Sequence, residues 1–135
     1  MGTSSHTNSS FLTVLLQDHI GGLQVTPFPS KSLDPCYPIH GGLVVNLGDL
    51  LQLISNDKFK SITHRVVAKT VGPRISVACF LRPESENSQK LFGPIKELLL
   101  EENLQIYKET TMKAFLYRKF SLGLGGISAL EHFKM

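Results

Sequence analysis

Two histidines and a nearby asparagine are the residues of this chain whose types and spacing best fit a chemical task. His6 and Asn8 are two positions apart, so on an extended segment both side chains point to the same face. His64 belongs to a separate segment, which must lie beside the first for its imidazole to join them. Two imidazoles and one carboxylate form the facial triad of non-haem iron sites, which leaves coordination positions open. The set therefore predicts an iron site in which an amide occupies the third ligand position.

Arg74 and Ser76 form a second pair with the same two-residue spacing, again on one face of a strand. A guanidinium presents a planar fork that pairs bidentately with a carboxylate, and a hydroxyl adds one further hydrogen bond. The pair is therefore predicted to anchor a carboxylate-bearing small molecule. Taken alone, Arg74 has a second interpretation, as a surface charge at the end of a strand.

The amide of Asn8 weakens the predicted iron site. A carboxylate would partly neutralise Fe(II), whereas an amide is neutral and is a poorer donor to a hard divalent cation. Asp18 lies at the end of the following strand, too far along the chain to replace it, and Asp49 is interpreted as the cap of a helix. The remaining histidines are interpreted as loop or surface residues: His19, His40 and His132.

The composition is that of an ordinary soluble globular chain and gives no sign of a nucleic-acid or membrane partner. The 135 residues suffice for one domain or part of one, with 41% hydrophobic and 19% charged residues. The net charge of +3 comes from scattered basic residues, which disfavours a nucleic-acid surface. No apolar stretch reaches the length of a membrane span, and the polar start lacks a signal-peptide core. A cytoplasmic location is therefore expected.

The two cysteines do not make a disulfide framework, which fits a reducing compartment. Cys79 lies in an apolar run and is predicted to be buried. Cys36 follows Pro35 in a predicted loop.

Short apolar runs separated by Gly and Pro predict a mainly β fold, a jelly roll or barrel, followed by helices. The Gly21-Gly22 pair predicts a hairpin between strands at residues 11–16 and 23–25. Further elements are predicted as strands at residues 43–47, 61–69 and 74–81, with a brief helix at residues 49–55.

Further along the chain the spacing of apolar residues becomes helical. Helices are predicted at residues 94–102, where Pro94 suits a first turn, and at residues 110–120. The second helix is predicted to pack through four residues on about one face: Met112, Phe115, Leu116 and Phe120. Residues 123–126 are predicted to end this helix, and the last residues to form a short tail.

Several segments in the correct order give the chain a close resemblance to the plant 2-oxoglutarate/Fe(II)-dependent dioxygenases. Two of them resemble the first iron-binding segment of that family: residues 5–18 (SHTNSSFLTVLLQD) and 20–25 (IGGLQV). Two more resemble the segments that follow: residues 44–56 (VVNLGDLLQLISN) and 59–66 (FKSITHRV). The last two are similar to the group of 1-aminocyclopropane-1-carboxylate oxidase homologues: residues 93–99 (GPIKELL) and 128–133 (SALEHF).

The resemblance covers nearly the whole chain and implies both its fold and its chemistry. It implies a partial double-stranded β-helix (jelly roll) at residues 1–83, followed by a C-terminal helical extension at residues 84–135. The implied activity is that of an oxidoreductase, which oxidises a small organic or specialised metabolite with molecular oxygen while it decarboxylates 2-oxoglutarate. Fe(II) is the implied cofactor, 2-oxoglutarate the cosubstrate, and ascorbate a candidate reductant.

The resemblance also assigns roles to the residues introduced above. His6, His64 and the position of Asn8 would hold Fe(II), where the family pattern has Asp in place of Asn. Arg74 and Ser76 would bind the distal carboxylate of 2-oxoglutarate.

The chain departs from the family at three places. The iron-ligand position holds Asn8, and residues 26–36 carry three prolines where relatives place a strand with a Trp. This segment is either a loop that replaces the strand or the product of an altered gene model. The third departure is that the long N-terminal region of relatives has no counterpart in the chain.

These departures leave more than one functional interpretation. The chain resembles the C-terminal half of an active dioxygenase, or a catalytically inactive truncated pseudoenzyme or interaction module with a vestigial iron site. A jelly roll without its opening strands exposes sheet edges, which predicts self-association. A metal-free, ligand-binding jelly roll is the third interpretation and rests on the fold class alone.

Overall fold

Most strands of the fold precede its helices along the chain. The computed structural model describes residues 2–30, 32–84, 88–123 and 128–135. The strands are β1 (Thr3–His6), β2 (Leu12–Gln17), β3 (Leu23–Val25), β4 (Asp34–Pro35), β5 (Leu43–Leu47), β6 (His64–Val66), β7 (Ser76–Leu81), β8 (Leu91–Phe92) and β9 (Thr110–Thr111). The helices are α1 (Asp49–Ile54), α2 (Met112–Leu122) and α3 (Leu130–Phe133), and a 3-10 turn forms at Lys96–Leu98.

The strands form two larger antiparallel sheets that share a cavity. Within the described residues, one sheet has the order β1-β6-β3-β4 and the other the order β5-β2-β7, while β8 and β9 pair separately. Inward-pointing residues of both sheets line one cavity, among them Leu23 and Val66 of the first sheet and Leu15 and Ala78 of the second. The predicted jelly-roll arrangement is therefore confirmed.

The Gly21-Gly22 pair joins the two sheets instead of closing a hairpin. Strand β2 pairs with β5 and β7, whereas β3 pairs with β4 and β6, so the predicted hairpin is wrong. Gly22 has a positive φ of 98°, and a Cβ there would lie 2.4 Å from the carbonyl oxygen of Val67. Glycine is needed here because any side chain would clash with the backbone of Val67 where the chain passes from one sheet to the other.

The hydrophobic core lies between α1 and the C-terminal helices. Leu50 and Leu53 of α1 are fully buried, and so is Phe115 of α2. They pack in two clusters with further buried side chains: Phe92, Tyr107, Met112, Leu116, Ala129, Leu130 and Phe133. The predicted second helix is thus confirmed as α2, which begins where the Thr111 hydroxyl accepts from the amide of Ala114.

Three predictions about the C-terminal part are wrong. Residues 94–102 form only a 3-10 turn, because the amide of Ile95 donates to the carbonyl of Ile54 and extended backbone flanks the turn on both sides. Phe120 is 73% exposed, although the spacing of apolar residues predicted that it packs on the same face of α2 as Met112, Phe115 and Leu116. The predicted tail contains α3, because Leu130 and Phe133 are buried in the core. Gly123 ends α2 as predicted, and residues 124–126 lie outside the described residues.

The outer face of the β5-β2-β7 sheet is apolar and largely uncovered. The strand register sets Leu43, Leu16 and Val77 in one row and Val45, Val14 and Cys79 in the next. Leu43 is 60% exposed and Val77 is 67% exposed, and every residue of β7 is exposed. The predicted burial of Cys79 is therefore wrong. We call this surface the bare face, defined by its exposed members: Leu16, Leu43, Val45, Val77, Cys79 and Leu81.

The described part of residues 26–36 contains no central strand, which agrees with the prediction made from its prolines. The described part of the segment contributes only β4, a two-residue strand at the edge of the first sheet. Pro35 is accommodated there because an edge strand need not donate to a further neighbour. No helix in the described ranges is long and apolar enough to cross a membrane.

Candidate functional site

The register between β1 and β6 brings His6 and His64 together. The two residues are directly opposite each other in this antiparallel pair, and their ring centroids lie 4.5 Å apart. His64 is buried, while His6 is partly buried. The two histidines named from the sequence therefore form one pair.

Hydrogen bonds to the backbone orient both imidazoles. Nδ1 of His6 lies 2.8 Å from the carbonyl oxygen of Ser4, and Nδ1 of His64 lies 3.2 Å from that of Ile62. A carbonyl only accepts, so each Nδ1 carries a proton and Nε2 is the nitrogen of each ring that can bind a metal, the usual arrangement behind a metal-binding histidine. Burial lowers the pKa of His64 and the neighbouring His6 lowers it further, against the opposing effects of the Ile62 carbonyl and Asp49. The neutral imidazole that a metal needs is thus favoured.

Asn8 lines the same cavity as the histidine pair, and a hydroxyl network fixes its amide. Its Nδ2 donates to Oγ1 of Thr13 at 3.0 Å, and Thr13 in turn lies 3.0 Å from Oγ of Ser10. The three side chains are buried. Because the amide nitrogen is engaged, Oδ1 is the atom that Asn8 can offer to a metal. Among the described residues, His, Cys, Asp and Glu side chains form no group of three that could hold a metal ion.

A buried charged cluster supports the segment that carries His6 and Asn8. Asp49 is fully buried, and its Oδ2 accepts from the Thr7 hydroxyl at 2.8 Å and from Nζ of Lys119 at 3.0 Å. Lys119 also donates to Oγ1 of Thr7 at 2.8 Å. Asp49 is therefore not the predicted cap, since its carboxylate points away from the α1 backbone toward Thr7 and Lys119.

The backbone at the start of α1 holds the same segment. The amide of Asp49 donates to the carbonyl of Asn8 at 2.7 Å, and the amide of Leu50 donates to that of Ser10 at 3.3 Å. A Cβ at position 48 would lie 2.0 Å from the carbonyl oxygen of Ser10, so only glycine allows this approach. Neither Thr7 nor Lys119 was predicted from the sequence as part of the site. Thr7 stands between two named residues, whereas Lys119 is 112 positions away and gives no local signal.

Arg74 and Ser76 face the same cavity from the other sheet. Nη1 of Arg74 donates to Oγ of Ser76 at 2.8 Å, and Nη2 donates to Oε1 of Gln17 at 3.2 Å. Nε of Arg74 is buried without a hydrogen-bond partner, and the guanidinium forms no ion pair within the described residues. A partly buried guanidinium that forms no ion pair and lies beside a hydroxyl is suited to a carboxylate ligand.

Two adjoining cavities meet at these residues. The inner cavity, of about 160 Å³, is lined by all five residues named from the sequence: His6, Asn8, His64, Arg74 and Ser76. The outer cavity, of about 310 Å³, shares His6, Asn8 and Phe80 with the inner one. Its other walls include Arg82, Lys119 and Phe120.

The residues present have the donor types that Fe(II) and a dicarboxylate need, but they lack the negative charge of the third metal ligand. Two imidazoles that can each offer Nε2 and an amide oxygen supply three donors, as a facial triad requires. The partnerless Nε of Arg74 fits the carboxylate of a keto acid. Asn8 supplies an oxygen in place of the usual carboxylate but no negative charge, which lowers the affinity expected for the metal.

Relatives of known sequence and structure place these features in a family. The model of the 2OG-Fe(II) oxygenase superfamily matches residues 1–83. The chain is 49% identical over its whole length to 1-aminocyclopropane-1-carboxylate oxidase homolog 11 of Arabidopsis thaliana, of which it covers 36%. It is 49% identical over 99% of its length to deacetoxyvindoline 4-hydroxylase of Catharanthus roseus, of which it covers 34%.

Solved structures show the same similarity in three dimensions. The rice dioxygenase for auxin oxidation superposes with a TM-score of 0.84 at 32% identity, over 98% of this chain and 45% of that one. JOX2, solved in complex with 2OG, Fe and JA, superposes with a TM-score of 0.82 at 28% identity, over 97% of this chain and 38% of that one. The chain thus spans about a third of the length of the curated relatives it matches. With the double-stranded β-helix of these neighbours and the matching family model, the chain belongs to the 2OG-Fe(II) oxygenase superfamily.

Proposed function

We propose that the chain is the metal- and cosubstrate-binding part of a 2-oxoglutarate- and Fe(II)-dependent dioxygenase that oxidises a small organic compound. One observation carries the proposal. The histidine pair, Asn8, Arg74 and Ser76 come from three separate segments of the chain, yet all of them line the inner cavity. Family membership supports the same reaction class.

The chain's own residues bind and orient the two groups. His6, His64 and Oδ1 of Asn8 would hold Fe(II), with the imidazoles oriented by the Ser4 and Ile62 carbonyls. When bound, the metal would supply oxygen activation coupled to oxidative decarboxylation of 2-oxoglutarate, with ascorbate as a further reductant.

On the opposite wall of the inner cavity, Arg74 and Ser76 would receive the distal carboxylate of 2-oxoglutarate. The hydrogen bond between them orients the guanidinium toward this carboxylate. Leu15, Leu23 and Ala78 would give the space between the two groups apolar walls.

A second candidate is a catalytically inactive relative with a vestigial iron site, and Asn8 is the observation that favours it. The amide adds no charge to offset that of Fe(II), so the metal loses an attraction that geometry does not replace. On this reading the chain is an interaction module, and the bare face with the open edge of β7 is the surface through which it would self-associate.

An anaerobic titration with Fe(II) and 2-oxoglutarate separates the two candidates. The visible charge-transfer band of a chelated keto acid is the readout, and Asn8→Asp is measured beside the original chain. An Asp at position 8 would keep the local network, since the Thr13 hydroxyl would donate to the carboxylate at the place where its oxygen now accepts. We expect Asn8→Asp to strengthen Fe(II) binding at least about tenfold, because changes even in groups behind the ligands shift metal affinity by 10- to 100-fold.

Each outcome of this titration has one meaning. A band in the original chain supports the dioxygenase proposal as it stands. A band only in Asn8→Asp supports the vestigial site and locates the defect in one amide. No band in either soluble, folded protein contradicts the proposed function, and Arg74→Gln, which should abolish any band, is the control for correct binding of the keto acid.

A further inference from the structure

The outer cavity combines cationic and apolar groups beside the histidine pair, and the roles proposed above leave it unused. Two of its walls carry a cation, Lys119 from α2 and Arg82 just beyond β7. Phe80 and Phe120 provide apolar walls, and both rings are more than half exposed. No Asp or Glu among the described residues lines this cavity.

Lys119 retains hydrogen-bonding capacity toward the cavity. An ammonium has three N–H donors. Two of them are engaged with Thr7 and Asp49, at 2.8 and 3.0 Å, which leaves the third for a ligand. The buried Asp49 carboxylate balances one positive charge from behind, so the charge of Arg82 stays uncompensated among the described residues.

Arg82 and Phe80 reach the cavity from the same side of one extended segment. They are two positions apart at the end of β7, the spacing that places alternate side chains on one face. The strand thus offers an apolar ring next to the histidine pair and a guanidinium beyond it. Lys119 and Phe120 repeat this combination on α2.

We propose that the outer cavity binds the substrate, and that the substrate is a small organic acid. Its carboxylate would pair with Arg82 and Lys119, and its apolar part would contact Phe80 and Phe120. A neutral compound would gain no ionic contact with Arg82 and Lys119, and a cationic one would be repelled by Arg82. This assignment rests on the proposed function, since it makes the cavity next to the metal site the substrate compartment.

Ligand binding tests the assignment without any turnover. Phenylacetate and its neutral isostere phenylacetamide are titrated into the full chain, free of metal and 2-oxoglutarate, and followed by saturation-transfer NMR. We expect phenylacetate to bind at least about tenfold more tightly, because a charge-assisted hydrogen bond is worth roughly a factor of ten or more in affinity. Acetate, which lacks the apolar part, should bind more weakly than phenylacetate.

Two matched variants locate the binding. Arg82→Gln should reduce phenylacetate binding to the level of phenylacetamide, whereas Arg74→Gln, which removes the guanidinium of the inner cavity, should leave the preference intact. Equal binding of the acid and the amide, no binding of either, or loss of the preference in Arg74→Gln alone would overturn the proposal. Arg82 is exposed, so its variant should fold, and circular dichroism verifies this.

The two proposals fail in different experiments. A charge-transfer band without a preference for phenylacetate would leave the dioxygenase proposal in place and remove the substrate class. A preference that depends on Arg82 without any band would keep the acid-binding cavity and remove the proposed activity.

Discussion

The helical side of the molecule and the bare face of the β5-β2-β7 sheet differ in how they are covered. Leu50, Leu53 and Phe115 have no exposed surface on the helical side, whereas Leu43 and Val77 are more than half exposed on the bare face. The same difference in coverage divides the candidate site into two parts. Hydrogen bonds join the His6–Asn8 segment to α1 and α2. Arg74 and Ser76 lie at the start of β7, an edge strand that pairs only with β2 among the described residues.

This comparison indicates that the two halves of the site are preorganised to different degrees. Edge strands open locally more easily than segments fixed by buried contacts. The proposed metal ligands should therefore keep their positions under conditions in which the proposed keto-acid anchor moves.

Truncation of the helical core should have the largest effect on stability. Phe115→Ala removes a fully buried ring that packs against Phe133, and we expect the free energy of unfolding to fall by about 3–5 kcal/mol. Val77→Thr on the bare face is the matched control and should change it by less than about 0.5 kcal/mol. Urea unfolding measures both, and similar losses in the two variants would contradict the comparison.

Disruption of the charged cluster behind the metal segment should come next. Asp49→Asn leaves the ammonium of Lys119 without its buried counter-charge, which should lower the free energy of unfolding by about 3 kcal/mol. The double variant Asp49→Asn/Lys119→Gln removes both charges and should recover part of the loss. Chemical denaturation of the two variants tests this order, and a double variant no more stable than Asp49→Asn would show that the charge pair is not the cause.

The fold could be predicted from the sequence where local pattern and tertiary environment agree. Strand β5 and helices α1 and α2 follow from apolar spacing, and the end of α2 follows from Gly123. The region of residues 94–102 was predicted wrongly because the Ile95 amide bonds to α1, a long-range contact that overrides a helical pattern. Cys79 was predicted to be buried because an apolar strand gives no indication of whether anything covers it.

The candidate site shows the same division. His6 with Asn8 and Arg74 with Ser76 could be named because each pair has a two-residue spacing, and His64 could be named because its segment resembles the family. Lys119 and Arg82 could not, since an isolated basic residue on a helix or after a strand resembles any surface charge. Their position at the outer cavity depends on how α2 and β7 pack beside the histidine pair, which no local pattern contains.

A smaller effect is expected from the Asp57–Tyr107 hydrogen bond on the helical side. Burial alone would raise the pKa of Asp57, but hydrogen bonds from Lys60, Tyr107 and Gln52 outweigh it and hold that pKa below its ordinary value of 3.8. Burial and the bond to Asp57 raise the pKa of Tyr107 above its ordinary value of 10.0. The stability that Asp57 contributes is therefore present above pH 3.8 and is lost as pH falls through its folded pKa, while that of Tyr107 is lost as pH rises above 10.0.

Urea unfolding at about pH 3 and about pH 6 measures the loss of the stability that Asp57 contributes, because these two values lie on either side of the ordinary carboxyl pKa. The original chain should lose more stability between these two values than Asp57→Asn, because the variant has no carboxylate to protonate at this position. Equal losses in both proteins would show that Asp57 does not contribute to the acid sensitivity.

The smallest effect is expected at Ser76, and it addresses the exposed half of the site. Ser76→Ala removes one hydroxyl that accepts from Nη1 of Arg74 and that we propose as a donor to 2-oxoglutarate. The affinity for 2-oxoglutarate, measured by titration of the Fe(II)-loaded Asn8→Asp chain, should fall by about tenfold, since a hydrogen bond to a charged carboxylate contributes about 1.5 kcal/mol or more. Because Ser76 is exposed on an edge strand, the free energy of unfolding should change by less than about 0.5 kcal/mol. An unchanged affinity would remove Ser76 from the proposed anchor, whereas a large loss of stability would show that β7 is held as firmly as the helical side.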